Sequence, residues 1–154
     1  MDQFTIRPVV AEDLPNLKTV VGDSELFPPE LLDDMIAPYL QQEDQSIWLT
    51  GDGDGPTFVA FCAPEQMTEG TWNLYLIAVH SSLRSKGYGR HVMSYLEDKL
   101  SKQGTRILIV ETSGLPEYDR TRSFYHQCAY TEEARIREFY AAGEDKVVFW
   151  KKLN

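Results

Sequence analysis

The sequence predicts a mixed α/β fold, a mixed sheet with helices on both faces, in the order β-α-α-β-β-β-α-β-α-β-β. Three observations predict it. Three strand-like runs, Ser46–Thr50, Thr57–Ala63 and Trp72–Val79, follow one another without a helix between them. The amphipathic stretch Arg90–Lys102 then leads into Arg106–Val110, a β-branched run of the kind a buried parallel strand uses. Two further runs, Ala134–Tyr140 and Lys146–Leu153, flank a short glycine-containing turn and read as a closing hairpin. Strands in series, then a βαβ unit, then a hairpin cannot form an all-parallel sheet. No internal repeat or linker interrupts the chain, so residues 1–154 are expected to form a single domain.

Each element has a local reason. Phe4–Pro8 is a short first strand that Pro8 ends. Ala11–Val21 carries Leu14, Leu17, Val20 and Val21 on one stripe, with Pro15 in the first turn where proline is tolerated. Pro28-Pro29 breaks the chain; a second helix follows with Leu31, Leu32, Met35 and Ile36 inward and Pro38 disturbing its end. Gly51-Asp52-Gly53-Asp54-Gly55-Pro56 is a hairpin connection. It looks like a calcium loop at a glance but lacks the distal glutamate and the ligand ladder. In Arg90–Lys102, Val92, Met93, Leu96 and Leu100 fall at helical spacing, and Gly104 is placed to cap the end. Pro116 opens a last helix whose inward stripe is expected to be Thr121, Phe124, Tyr125 and Cys128.

Composition excludes several classes. Hydrophobic residues make up 42% of the 154 and charged residues 25%, a folded rather than a disordered balance. No apolar stretch is long enough to span a bilayer and the start, Met1-Asp2-Gln3, does not open a signal peptide, so no membrane partner is expected. Two isolated cysteines, Cys62 and Cys128, form neither a disulfide framework nor a metal knuckle; a reducing, cytoplasmic setting and no metal are expected. The net charge of −9 leaves no basic face for nucleic acid. It does not forbid a small anionic ligand, because distant charges are screened beyond about 8 Å at physiological salt.

The most informative segment is Arg84-Ser85-Lys86-Gly87-Tyr88-Gly89, between the run Leu74–Val79 and the helix that follows. A glycine-spaced strand-to-helix turn leaves backbone N–H groups pointing one way, and the helix dipole adds positive potential there. Such a turn suits a phosphate or pyrophosphate, and Arg84, Lys86 and Arg90 reinforce it. It is not a Walker loop, which needs lysine followed by a hydroxyl residue. Nor does it carry the three spaced glycines of a dinucleotide fingerprint near a first strand.

The run Ile77-Ala78-Val79-His80-Ser81-Ser82-Leu83-Arg84-Ser85-Lys86-Gly87-Tyr88-Gly89 resembles the acyl-CoA motif of the GNAT superfamily of N-acyltransferases. That motif is a hydrophobic strand, a short loop, Arg or Gln, two residues, Gly, one residue, then Gly or Ala. Ser123-Phe124-Tyr125-His126-Gln127-Cys128-Ala129-Tyr130 resembles the family's second signature, commonly Phe-Tyr, three residues, Gly-Phe. With the strand order, the resemblance spans nearly the whole chain.

The resemblance implies a function: transfer of the acetyl group of acetyl-CoA, as co-substrate, to a primary amine of a small molecule or peptide. The amides of Arg84, Ser85, Lys86, Gly87, Tyr88 and Gly89 would grip the CoA pyrophosphate, with Arg90 adjacent. The pantetheine arm would pair with the backbone of Ile77, Ala78 and Val79. In the family this strand splays from the next parallel one to seat the thioester, and a strand N–H, here Ile77, steadies the oxyanion. Ternary binding supplies proximity, and Tyr125 would protonate the departing thiolate. On stripe position alone Tyr125 reads as a core tyrosine. No acid stands between Trp72 and Val79, where many relatives place a base. Glu111, at the end of the next strand, is a base, a substrate anchor or a solvated strand-end charge. His80 reads as structural or cofactor-adjacent.

Other readings stay open at this level. The same fold serves a non-catalytic acyl-CoA-binding or regulatory domain, and also a protein N-terminal acetyltransferase. Ala129-Tyr130 stands where the family has Gly-Phe, so the turn after the last helix is expected to differ slightly. Cys128 reads as a small buried hydrophobe or a covalent acyl carrier, and Trp48, Trp72 and Trp150 as packing. Arg120 and Arg122 touch the distal phosphate or face water. Glu30, Asp33 and Asp34 attract a cationic acceptor or form a solvated face. Exposed strands of the terminal hairpin offer a homodimer contact.

Overall fold

A computed structural model describes residues 5–154. The start of the first strand at Phe4 and the Met1-Asp2-Gln3 segment lie outside the described residues. Among the described residues, seven strands and four helices follow one another as β1 (Thr5–Pro8), α1 (Leu14–Ser24), α2 (Leu32–Leu40), β2 (Ile47–Asp52), β3 (Phe58–Pro64), β4 (Thr71–Val79), α3 (Tyr88–Lys102), β5 (Ile107–Ser113), α4 (Asp119–Gln127), β6 (Thr131–Ala141) and β7 (Glu144–Lys152). Single 3-10 turns introduce α1, α2, α3 and α4. This is the order read from the sequence. The strands hydrogen-bond in the order β1-β2-β3-β4-β5-β7-β6, with β4–β5 parallel and β1–β2, β2–β3, β5–β7 and β6–β7 antiparallel.

The described residues gather into two compact units: 5–63 with 76–95, and 64–75 with 96–154. In the first, α1 and α2 set Leu17, Val20, Val21, Leu32 and Ile36 against Trp48, Val59, Leu76 and Ala78. Trp48 stacks on Phe61 at 4.2 Å between ring centroids. Leu49, Phe58 and Ala60 point the opposite way from Trp48 and Val59 and are buried too, so both sides of these strands are covered. Pro38 is accommodated inside α2 rather than ending it. The loop at 51–56 is a hairpin connection, and Asp52 is not a cation ligand: its carboxylate takes Arg7 at 2.6 Å. Arg7 also pairs with Asp13 at 2.7 Å.

That pair predicts an acid sensitivity. The Arg7 guanidinium holds the Asp13 carboxyl below its usual range. A lowered carboxyl contributes stability above its unfolded pKa, near 4, and loses it as pH falls through the folded value. Melting temperature should therefore drop below about pH 4, and Asp13→Asn should flatten that limb; an unchanged slope in the variant would remove the pair from the account.

In the second unit β5 is central. The β4–β5 register runs from Thr71 opposite Ile107 to Leu74 opposite Val110. The β5–β7 register runs from Ile107 opposite Lys152 to Ser113 opposite Lys146. Strand alternation puts Leu108, Val110, Val147 and Phe149 on one face, all buried, and Ile109, Glu111, Lys146 and Val148 on the other. β6 is the sheet edge and is exposed along its length. Helix α3 buries Tyr88, Val92, Met93, Leu96 and Leu100. Gly104 at φ +92° caps it, as its position in the sequence predicts.

Candidate active site

The glycine turn lies in the first unit. β4 alternates in its second half, with Leu76 and Ala78 buried and Ile77 and Val79 partly open. After Val79, His80 donates its N–H to the Thr57 carbonyl at 2.8 Å, fixing the strand end. Ser85 (φ +62°) and Gly87 (φ +82°) both adopt the left-handed region, which costs a Cβ-bearing residue about 1–2 kcal/mol and glycine nothing. These two reversals turn the chain into α3, whose first bond runs from His91 N–H to the Gly87 carbonyl at 3.2 Å. The amides of Gly89 and Arg90 therefore precede the helical ladder. The helix starts two residues before the expected Arg90, so Gly89 lies within its first turn, where glycine costs little. Arg84, Ser85, Lys86, Gly87 and Arg90 are exposed, while Tyr88 is buried as an anchor. An exposed turn with two left-handed reversals and three cations at a helix start fits a diphosphate, in backbone geometry and in charge.

The residues leading into the turn are tied down. His80 Nδ1 and Ser82 Oγ lie 2.8 Å apart, and the ring caps the short turn that follows. Asp23, near the end of α1, accepts from the Ser81 N–H at 2.8 Å and from the Ser81 hydroxyl at 2.7 Å. Arg84 donates to Asp23 at 3.3 Å and to the Val79 carbonyl at 3.1 Å. Glu30, Asp33 and Asp34 are exposed, with Asp33 paired to Lys18 at 2.8 Å.

Tyr125 and Glu111 lie in the second unit, and the structure does not bring them together on one face. Tyr125 is 4% exposed on α4, edge-on to Phe124 and Tyr130 and tilted on Phe149 at 5.4 Å. Burial pushes its phenol well above the ordinary value, so it stays protonated at neutral pH. Phe149 belongs to the face of β5 and β7 opposite to Glu111. Glu111 does not end its strand as expected: β5 continues to Ser113, and Glu111 stands opposite Val148. Its side chain stays 30% exposed, and its charge is paired: Lys146 holds it at 3.1 Å while passing 3.8 Å over the Phe139 ring. That pairing is what lets an acid sit inside the strand.

Three expectations on the last helix need correction. Thr121 is exposed; Arg122, three residues before Tyr125, takes the inward face instead. Arg122 neither faces water nor is free for a phosphate, since it donates to the carbonyls of Ser113 at 2.6 Å and Leu115 at 3.0 Å and pairs with Asp119. Cys128 is only half-buried, ends the helix, and offers its carbonyl to Lys151 at 2.9 Å.

The Ala129-Tyr130 departure also has a physical account. Ala129 sits at φ +69°, where glycine would be unstrained, and the Tyr130 hydroxyl donates to Glu97 at 2.7 Å, a bond phenylalanine lacks. Ala129→Gly should raise stability by about 1 kcal/mol, or about 2–4 °C. A lower melting temperature in the variant would contradict the strain.

Sequence reasoning missed two acids. Glu65, just after β3, accepts from the Asn73 amide and the Tyr75 hydroxyl, both at 2.8 Å, and so brings a carboxylate to the strand that has none of its own. Burial, then the Glu65 hydrogen bond, pushes the Tyr75 phenol up to about 12. Only the short hairpin around Glu69-Gly70 hinted at this. Asp23 carried one signal, a carboxylate in the last turn of a helix, where the dipole disfavours it. Among the described residues, no group of three or more His, Cys, Asp or Glu side chains converges as metal ligands would. Nor is any helix there long and apolar enough to cross a membrane.

The strand order is that of a mixed α/β protein, and the strand, left-handed turn and helix start of the first unit are those of an anion-binding turn. Residues 12–130 match the model of the acetyltransferase (GNAT) family, and the chain belongs to that family. It is similar to a solved protein from Desulfovibrio desulfuricans described as a GNAT-family acetyltransferase: 28% identity, TM-score 0.89, 99% of this chain and all of that one covered. The ribosomal-protein-S18-alanine N-acetyltransferase of Escherichia coli shares the fold at 20% identity and TM-score 0.77, over 99% and 95% of the two chains. So does an acetyltransferase-type protein from Salmonella typhimurium solved with its cofactor acetyl-CoA, at 17% identity and TM-score 0.80, over 99% and 95%. No protein of curated function matches the sequence.

Proposed function

We propose that the protein transfers the acetyl group of acetyl-CoA to a primary amine of a small molecule or peptide, by direct attack in a ternary complex. The observation that carries this reading is the exposed turn in which Ser85 and Gly87 reverse the chain ahead of α3. Acetyl-CoA supplies the acetyl group as a thioester. The amides from Ser85 to Gly89 hold its diphosphate; the Arg84 N–H is already given to the Ser81 carbonyl at 3.3 Å, so Arg84 joins Lys86 and Arg90 in lending charge. The backbone of Ile77, Ala78 and Val79 receives the pantetheine arm, and the Ile77 N–H faces the carbonyl oxygen. Tyr125 gives its proton to the departing thiolate.

Glu111, on the opposite face of β5 from the Phe149 that packs on Tyr125, serves the acceptor amine as base or as anchor, and pH separates the two: a base takes the proton that the incoming ammonium must lose. Glu111→Gln should lower kcat/KM about tenfold at neutral pH. The loss should shrink as pH rises through the amine's own pKa, since the acceptor is then already neutral. A loss independent of pH would make Glu111 an anchor rather than a base.

The proposal is tested by thermal shift with acetyl-CoA, followed by a panel of small and peptide amines with release of free thiol as the readout. Acetyl-CoA should raise the melting temperature, and at least one amine class should release thiol above the hydrolytic background. No shift at millimolar acetyl-CoA would overturn it.

A further inference from the structure

We infer that Asp23 is the positioning residue of the cofactor turn, a carboxylate on α1 that holds the segment Ser81–Arg84 in the shape that presents the following amides to a diphosphate. The inference rests on the acetyl-CoA reading of that turn.

Asp23 is the penultimate residue of α1, and no basic residue accompanies it in the last turn. A carboxylate there opposes the helix dipole, so the local sequence gives it no stabilising reason to be acidic. Its partners lie 58 and 61 positions further along the chain. One oxygen, Oδ2, accepts from the Ser81 backbone N–H at 2.8 Å and from Arg84 Nη2 at 3.3 Å. The other, Oδ1, accepts from the Ser81 hydroxyl at 2.7 Å, with His80 Nε2 at 3.9 Å. The Ser81 hydroxyl and Ser81 amide bonds hold the carboxyl below its usual range, which is the mark of a carboxylate held charged by its donors.

The consequence is geometric. Ser81–Leu83 is a single 3-10 turn. Its own backbone bonds, Leu83 N–H to His80 at 2.8 Å and Arg84 N–H to Ser81 at 3.3 Å, are few. Asp23 adds two short bonds at its first residue and one at its exit. Arg84 is thereby fixed between Asp23 and the Val79 carbonyl, and the left-handed reversals at Ser85 and Gly87 start from a defined point. Loss of the tie loosens the turn, so cofactor binding must then pay for ordering it. A local rule broken at a helix end and repaired only by the cofactor turn is the pattern expected of a functional constraint.

The experiment is steady-state kinetics of Asp23→Asn and Ser81→Ala with acetyl-CoA as varied substrate, melting temperatures taken in parallel. Asp23→Asn keeps the shape and removes the charge: KM for acetyl-CoA should rise about tenfold, with kcat at saturation and KM for the amine within about twofold. Ser81→Ala keeps the backbone bond and loses the hydroxyl, so about a threefold rise is expected; it carries the test should Asp23→Asn not fold. An unchanged KM in both variants would overturn the inference. So would a lower KM in Asp23→Asn, which would mean that the carboxylate repels the diphosphate or withholds Arg84 from it. Equal falls in kcat and rises in both KM values would mean general damage to the fold and would also overturn it. A wild-type protein with no response to acetyl-CoA would instead overturn the cofactor reading on which this one rests.

Discussion

Gly87→Glu abolishes the stabilisation that acetyl-CoA gives the wild-type protein. A ligand at about 100 times its Kd stabilises the folded state by about 2.7 kcal/mol. For a chain of this size that is a gain of about 5–10 °C in melting temperature. Gly87 sits at φ +82°, so a side chain there is strained whatever its chemistry. The added carboxylate also stands among the amides and beside Arg84, Lys86 and Arg90, where it neutralises the potential that draws an anion. Strain alone lowers the starting stability; only occlusion removes the response. Gly143→Glu separates the two. Gly143 has φ +79° in the β6–β7 turn, and a Cβ there meets nothing within 4 Å. That variant should be less stable than wild type and still gain the full acetyl-CoA shift. A Gly87→Glu protein that keeps its shift would place the diphosphate elsewhere.

Tyr125→Phe should lower kcat by about 100-fold or more, the lower end of what a positioned acid contributes, with KM for acetyl-CoA unchanged. The ring is fully engaged, against Phe124, Tyr130 and Phe149, and phenylalanine keeps all of those contacts. Melting temperature should therefore stay within a few degrees of wild type. Burial raises the phenol's pKa, so the group is in its donating form across the working pH range and should contribute no alkaline limb to the rate profile below pH 10. Unchanged turnover would make Tyr125 the core tyrosine that its stripe position predicts on burial statistics alone.

The fold was legible because each strand and helix follows from a local pattern. The Leu49–Thr50 and Phe58–Ala60 runs are buried on successive residues, which reads as strand covered on both sides. Gly104 and Pro116 stop and start helices where the chain turns. Boundaries failed where partners decide them. β5 runs on through Glu111 because Lys146, far along the chain, neutralises it. The Thr121 face went to Arg122 because the carbonyls of Ser113, at the end of β5, and of Leu115, in the loop after it, accept its guanidinium.

Of the candidate site, the glycine turn was legible, since positive φ and a helix start are local demands on sequence. The tyrosine helix was legible by its Phe124-Tyr125 pair. The acids were not. Glu65 reaches Asn73 and Tyr75 by folding of a hairpin. Asp23 reaches Ser81 across 58 positions. Spacing along a chain carries little trace of such meetings: a short hairpin hinted at the first, and the misplaced charge at the end of α1 pointed to the second.

The most direct measurement is an amide-resolved NMR titration of the protein with acetyl-CoA. The account predicts that the largest shift changes fall on the amides of Ser85, Lys86, Gly87, Tyr88, Gly89 and Arg90, with smaller ones along Ile77–Val79. Saturable binding that leaves those amides in place while moving another segment would contradict it.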